Sequence, residues 1–491
     1  MTKLRQPIFI ILVSILALYK PAKVFGQVQK PNVVYVLTDQ WRASAFSYAG
    51  NPDVQTPHID KFAKEAVNFA NAVSVAPVCT PYRAALLTGR YPTSTGMFLN
   101  DLYLPDEELC MAEIFKSAGY NTAYLGKWHL DGHGRLNNVS PERRQGFDYW
   151  KALECSHDYN NMMYYEHQSE ERKMWNDYSP NAISKAARQY LAEVKKNKPF
   201  LLFVSIGTPH SPHSTAPEEY KRMYPESELK LRPNVTKKLE AKTRRELKGY
   251  YGHCTATDKA IGEIIDKMKE LEMWEKTIFV FTSDHGEMMG SHGVRPGKKQ
   301  LAWDESIRVP FLISYPQISG NKGAVVNAPI NTPDILPSLL SLANITIPNS
   351  IEGEDLSELI KSPNEKTDRA ALVMNVCPFH SEYVYPEYRG IRTSRYTYVK
   401  SPDKALMLFD NAEDPYQLNN LIDNTGYIGL QEKLEKELQR KLSKIGDSNF
   451  KTREYYLKKW NLKLADKKYP VVDHESFLEG KGMVQTPYLN K

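Results

Sequence analysis

The chain has 491 residues, 41% of them apolar and 25% charged, with a formal net charge of +6. Length and composition exclude a disordered or fibrous protein and provide for a large core spread over two domains. The basic excess is dispersed, with no long Lys/Arg block, which argues against a nucleic-acid partner and suits an anionic substrate.

Lys3 and Arg5 precede an apolar run over residues 8–19, and Val24-Phe25-Gly26 offers a cleavage point before Gln27. Residues 1–26 are therefore predicted to be a secretory signal peptide, too short for a comfortable membrane span, with an uncleaved N-terminal anchor as the alternative. No cysteine lies near the cleavage point, so the expectation is a lipid-free, exported protein, periplasmic or secreted, with no stable membrane partner. Cys79, Cys110, Cys155, Cys254 and Cys377 are odd in number and form no C-x-x-C pair, which excludes a disulfide framework or a zinc knuckle and leaves room for one disulfide.

The mature sequence opens with an unbroken apolar run over residues 33–37, the pattern of a strand buried on both faces in a parallel sheet, and it delivers Asp39 at its end. In open α/β sheets that end is where sites are built, so Asp39 is a candidate metal ligand rather than a cap on the next turn. An amphipathic helix is expected to start at Thr56-Pro57 and to run through Phe62, Ala66 and Phe69, with His58 as a structural N-terminal residue. Val78-Cys79-Thr80-Pro81-Tyr82-Arg83 opens a second helix, closed by Gly89. Its N-terminus turns free N–H groups toward whatever lies over Cys79, and Arg83 returns to the same face one turn later. That is an anion site with a nucleophile in it, suited to a phosphate or sulfate group. Arg90 is expected to brace this site from behind.

After a helix over residues 111–117, a strand is predicted over 121–130, in which Lys127 and His129, two apart, would point the same way. Asp131, His133 and Arg135 follow in a polar loop that is a candidate substrate subsite. Residues 140–195 read as an insertion carrying one helix over 180–195, with His157 and Asn160 as candidate substrate contacts. A third buried strand over 199–207 ends at Thr208-Pro209-His210, with His213 as a neighbouring subsite residue. Residues 216–245 look like a surface excursion before a helix over 248–271, whose Asp258 has a structural hydrogen-bonding role. The strand Thr277–Ser283 then delivers Asp284-His285. Past Pro348 the pattern changes to antiparallel strands over 389–410 with a helix over 430–445. His380 and Arg389 are placed where this part could lean over the site, and the tail from Lys467 shows no clear period.

Cys79-Thr80-Pro81-Tyr82-Arg83 followed by Ala-Ala-Leu-Leu-Thr-Gly-Arg resembles the signature of the type I sulfatases, members of the alkaline-phosphatase superfamily. Gly126-Lys127-Trp128-His129, Pro209-His210, Asp284-His285, the run Trp303 to Pro310 and, further on, Asp414-Pro415 with Gln417, Asn419, Asn420 and Leu421 resemble that family's other motifs in order. The resemblance implies an α/β fold with a large, mixed but mostly parallel sheet flanked by helices over 27–348. A smaller C-terminal α+β subdomain with an antiparallel sheet would span 349–491. It implies that Cys79 is converted to Cα-formylglycine by a separate formylglycine-generating or anaerobic maturating enzyme. One Ca²⁺, with Mg²⁺ as the alternative, would sit on Asp39, Gln40, residue 79, Asp284 and His285. Arg83, Lys127 and Lys299, the last found nine residues before Arg308, would neutralise sulfate oxygens, with Arg308 structural. His210 would protonate the leaving oxygen and His129 would help expel sulfate, while Trp303 joins the candidate substrate residues. Gln40 departs from the aspartate usual there, removing a negative charge. The implied reaction is hydrolysis of a sulfate ester on a carbohydrate, with a galactose or N-acetylgalactosamine sulfate as first choice. A phosphonate or phosphate ester hydrolase and a non-catalytic glycan-binding relative are the alternatives.

Overall fold

Five strands built from apolar runs lie side by side and parallel at the centre of a ten-stranded sheet: Thr277–Ser283, Asn32–Asp39, Phe200–Pro209, Asn121–Lys127 and Tyr149–Leu153. Side chains of the Asn32–Asp39 strand alternate between two cores, as the period of two requires. Val33, Tyr35 and Leu37 pack on one face with Tyr82 and Leu86 of the Cys79–Thr88 helix. Val34 and Val36 face Ile183 and Ile261 on the other, from the Ser179–Glu193 and Glu240–Glu270 helices. The register sets Thr38 beside Ser283 and Ile206, so the C-terminal ends of the strands lie together. The computed structural model describes residues 30–167, 169–364, 367–379 and 386–464. The expected signal peptide, His380 and the tail from Lys467 lie outside them.

Several boundaries differ from the sequence expectations. The helix beginning at Pro57 stops at Ala63, and Val67–Phe69 is a strand of the main sheet, where β-branched and aromatic side chains fit a pleated surface. Residues 140–195 are not a looped insertion. Tyr149–Leu153 pairs in parallel with Asn121–Lys127, and Met163–Glu166 and Lys173–Met174 continue the sheet to its edge. Their polar, Tyr-rich composition reflects half-exposed edge strands. The helix expected from 248 starts at Glu240.

Ala371–Asn375, not expected from the sequence, heads a four-stranded antiparallel sheet with Tyr388–Arg392, Tyr396–Lys400 and Ala405–Asp410. Leu372, Ile391 and Leu408 of that sheet share a core with Leu438 of the Ile428–Lys444 helix and with Val75 and Ala85, so the sheet packs behind the Cys79–Thr88 helix. All five cysteines are buried and unpaired, which overturns the allowance for a disulfide. Among the described residues, no helix is long and apolar enough to cross a membrane.

Candidate active site

All five parallel strands deliver polar residues at their C-terminal ends. These are Asp284 and His285, Asp39 and Gln40, His210, Lys127 and His129, and Glu154 with His157. The Cys79–Thr88 helix starts beneath them, entered from an extended Val78 and closed by Gly89 in the left-handed region. Close approach of the strands needs Gly126, where a Cβ would stand 1.9 Å from the Ser205 carbonyl oxygen.

Ligand atoms of Asp39, Cys79, Asp284 and His285 all lie within 4.8 Å of one another, and all four residues are buried. Cys79 Sγ is 3.3 Å from His285 Nε2 and 3.7 and 3.8 Å from the two Asp39 oxygens. Two carboxylates, one imidazole and residue 79 form a donor set that fits a divalent cation with a taste for oxygen. The surrounding cations are close. Lys127 Nζ donates to Asp39 Oδ2 at 2.6 Å, and Arg83 Nη2 lies 3.2 Å from Asp284 Oδ2 and 3.8 Å from Asp39 Oδ2. Burial alone would raise the Asp39 carboxyl, but Lys127, His210, Lys299 and His285 outweigh it and hold it well below the usual range.

Arg83 spends both terminal nitrogens on the protein, while its buried Nε has no hydrogen-bond partner. Its Nη1 donates to the Lys127 carbonyl at 2.9 Å and to Ser205 Oγ at 2.8 Å, and its Nη2 to Asp284. It ties Asp284 to the end of the Asn121–Lys127 strand. Lys299, on the loop after the last parallel strand, does reach residue 79: its Nζ is 3.3 Å from Cys79 Sγ, 3.0 Å from His210 Nε2 and 3.0 Å from Gln40 Oε1. His210 Nδ1 donates to the Ser211 carbonyl at 2.7 Å, which leaves Nε2 as the acceptor for Lys299. Desolvation, then the neighbouring Lys299 and His157, hold the His210 imidazole well below its usual range. His157 stacks on His210 with ring centroids 4.2 Å apart. Lys299, His210 and His157 are partly exposed while Asp39, Cys79, Asp284, His285 and Lys127 are buried, so the site opens to solvent on the histidine side.

Strand alternation does not bring His129 beside Lys127. The strand stops at Lys127, and His129 adopts φ +61°. Its Nε2 meets Asp101 Oδ1 at 2.9 Å, while the buried Nδ1 has no hydrogen-bond partner in the structure. Asp101, itself at φ +60°, also takes two bonds of 2.7 Å from Arg135. Sequence reading misses Asp101, which belongs to no motif and whose positive φ carries no residue signature.

The other candidate subsite residues fare unevenly. Asp131 is buried against Arg143 at 2.6 Å and pairs with the exposed His133 at 3.1 Å. Glu154, also missed, accepts the N–H groups of Leu130, Asp131 and Gly132 and so shapes this loop. His213 is buried with its Nδ1 on Glu246 at 2.8 Å. Asn160 donates to the Thr215 carbonyl, and Trp303 stacks on His292 at 4.5 Å. Arg389 does not lean over the site. It is fully buried and paired with Asp447 at 2.6 Å in the C-terminal sheet. Arg90 pairs with Glu108 at 2.7 Å and Glu352 at 3.7 Å rather than bracing the nucleophile. Arg308 meets Asp304 at 3.5 Å and Asp258 accepts from His58 and Ile59, both structural as expected.

The sulfatase family model matches residues 31–345, and the model for the C-terminal region of N-sulphoglucosamine sulphohydrolase matches residues 290–444. The chain belongs to the sulfatase family. Among this sulfatase's relatives, an ulvan-active sulfatase of Formosa agariphila is 61% identical over 459 residues, covering 93% of this chain and 89% of the relative. An endo-4-O-sulfatase of Bacteroides thetaiotaomicron is 30% identical, covering 87% and 94%. The crystal structure of a Bacteroides fragilis protein carrying the sulfatase name yidJ superposes with a TM-score of 0.78 at 30% identity, over 87% of this chain and 98% of that one. The sulfatase is accordingly a sulfuric ester hydrolase with an alkaline-phosphatase-like sheet.

Proposed function

We propose that this sulfatase releases inorganic sulfate from a sulfated polysaccharide, with an ulvan-type substrate as the first candidate. The observation that carries the reading is the position of residue 79, ringed by Asp39, His285 and Lys299 at 3.3–3.8 Å, with His210 on the solvent side of Lys299. The name of the 61% identical relative supports ulvan ahead of the galactose or N-acetylgalactosamine sulfate suggested by sequence alone.

Cys79 is the precursor of Cα-formylglycine on this reading, installed by a separate maturating enzyme, and its hydrated form carries the attacking hydroxyl. Asp39, Asp284 and His285 would hold Ca²⁺, which when bound lowers the pKa of that hydroxyl. Lys299 and Lys127 bring two ammonium groups to the same carboxylate and nucleophile, where negative charge on the sulfuryl oxygens builds up. Arg83 keeps Asp284 and the end of the Lys127 strand in place. At the open side the Lys299 ammonium, held on His210 Nε2 at 3.0 Å, gives its proton to the departing sugar oxygen and is left as the neutral amine. His129, oriented by Asp101 through Nε2, presents Nδ1 as the nitrogen able to take a proton when sulfate is expelled. Export remains part of the proposal, since a sulfated polysaccharide is an extracellular substrate.

The test is sulfate release by protein co-produced with a maturating enzyme, assayed on ulvan oligosaccharides, monosulfated galactose and N-acetylgalactosamine, and a phosphonate monoester. Release from ulvan oligosaccharides alone is expected. Turnover confined to the phosphonate ester would overturn the reading.

A further inference from the structure

Glu287 is a buried carboxylate at the site that the chemistry above does not use. It is fully buried two residues beyond His285. Its Oε2 accepts from Gln40 Nε2, and its Oε1 accepts the N–H groups of Met289 and Gly297 at 2.9 Å each. Gly297 lies two residues before Lys299, and the Met288 N–H closes the same turn on the Lys298 carbonyl at 3.0 Å. On its other side, the Gln40 amide presents Oε1 to Lys299 Nζ at 3.0 Å, the ammonium that also touches Cys79 Sγ and His210 Nε2. Glu287 thus grips Lys299 twice, through the backbone of its loop and through the Gln40 side chain.

An amide has a donor end and an acceptor end of nearly equal shape, and only its surroundings choose between the two orientations. Here a carboxylate on one side and an ammonium on the other allow one orientation, with oxygen toward Lys299. We propose that Glu287 is a positioning residue that locks the Gln40 amide with Oε1 toward Lys299 and residue 79, and that positions 40 and 287 are a matched amide–carboxylate pair. The proposal rests on the sulfatase reading of the site for its activity arm. A glutamate at position 40 would set a second carboxylate against Glu287, in place of the amide that donates to it. A glutamine at 287 must keep its oxygen on the Met289 and Gly297 N–H groups, so its NH₂ would face Gln40 and turn the amide of Gln40, donor first, against the Lys299 ammonium.

The test is the reciprocal exchange. Glu287→Gln and Gln40→Glu are isosteric single variants, and Gln40→Glu/Glu287→Gln restores one amide and one carboxylate in swapped places. Three quantities are read on the matured, full-length protein: Ca²⁺ affinity by calorimetry, kcat and KM for sulfate release, and thermal unfolding without metal. Each single variant is expected to weaken Ca²⁺ binding and lower kcat by about tenfold or more. The double variant is expected to return to within about threefold of wild type, a strong departure from additivity. Additive losses in the double variant, or single variants that shift only the unfolding temperature and leave Ca²⁺ affinity and kcat alone, would overturn the proposal. Should a single variant fail to fold, a folded double variant supports the pair and an unfolded one refutes it. If wild-type protein binds Ca²⁺ but releases no sulfate, the functional reading fails while the binding and unfolding arms still decide the pair.

Discussion

In the C-terminal sheet, Arg389 is buried against a carboxylate of its own, Asp447, and Arg392 is held by both oxygens of Asp304, which Arg308 also meets at 3.5 Å. At the strand ends of the large sheet, Asp39 is shared among Lys127, Arg83, His285 and residue 79, and Asp284 between Arg83 and His285. Both regions bury charge to a similar depth. The first satisfies it locally and becomes rigid structure. The second shares each carboxylate among several groups, leaves His129 Nδ1 without a partner, and holds a donor set that could take a cation. Buried charge alone therefore marks neither function nor structure, and the distinction lies in whether the partners are saturated.

The largest effect should come from removing the side chain of residue 79, the proposed nucleophile. Cys79→Ala is expected to lower kcat/KM for sulfate release by on the order of 10⁴-fold or more while shifting the unfolding temperature only slightly, since a small buried side chain is traded for a smaller one. Paired activity and unfolding measurements check this.

Next in size is the opposite behaviour at the saturated pair. Arg389→Met leaves Asp447 buried and strips its main partner, with a destabilisation of about 3–5 kcal/mol in denaturant unfolding. At temperatures where the variant stays folded, kcat should match wild type, because Arg389 lies in the C-terminal sheet and not at the site. A fall in kcat without loss of stability would erase the contrast between the two regions.

The same contrast governs what is legible in the amino-acid sequence. The central strands are legible because runs such as residues 33–37 are apolar without interruption, which only a doubly covered parallel strand requires. Asp39 is singled out by standing at the tip of such a strand, and Cys79, Asp284, His285 and Lys299 by resemblance to family motifs; the fold brings the first four of these together with Lys299 against Cys79. The strands over 163–174 at the sheet edge are not legible, because a half-exposed edge alternates polar and aromatic residues much as a loop does. Nor are the roles of Arg83, Arg90 and Arg389. An arginine's purpose depends on which carboxylate it meets, and Asp284, Glu108 and Asp447 are brought to these three by the fold, not by local sequence. His129 does not sit where strand alternation would put it: a left-handed backbone and Asp101 set its orientation.

A moderate effect is expected at Asp101, which orients an unsaturated group. Asp101→Asn should lower kcat by about 10- to 100-fold with a smaller change in KM, because the His129 tautomer is no longer held while the substrate side of the site is untouched. Steady-state kinetics on one defined sulfated oligosaccharide would measure the split.

The smallest effect concerns pH. Burial first, then Asp131 beside it, pushes the Glu154 carboxyl up to about 8 against the pull of its backbone N–H partners. Between an unfolded value near 4.5 and that folded value, the native protein holds a proton that the unfolded chain has released. Stability from this group is therefore present at low pH and lost as pH rises through the window. Unfolding temperatures taken from pH 5 to pH 8 should decline more steeply for wild type than for Glu154→Gln. Parallel profiles would remove Glu154 from the account of how the loop after His129 is held.

The central claim is that residue 79, matured and set among shared charges, is the sulfate-ester nucleophile. The most direct test is to prepare the protein with graded maturation, quantify formylglycine in the peptide over Cys79 by mass spectrometry, and measure sulfate release from ulvan oligosaccharides on the same samples. The account predicts a rate proportional to the converted fraction and falling to zero with it. Sulfate release that persists unchanged in unconverted protein would contradict it.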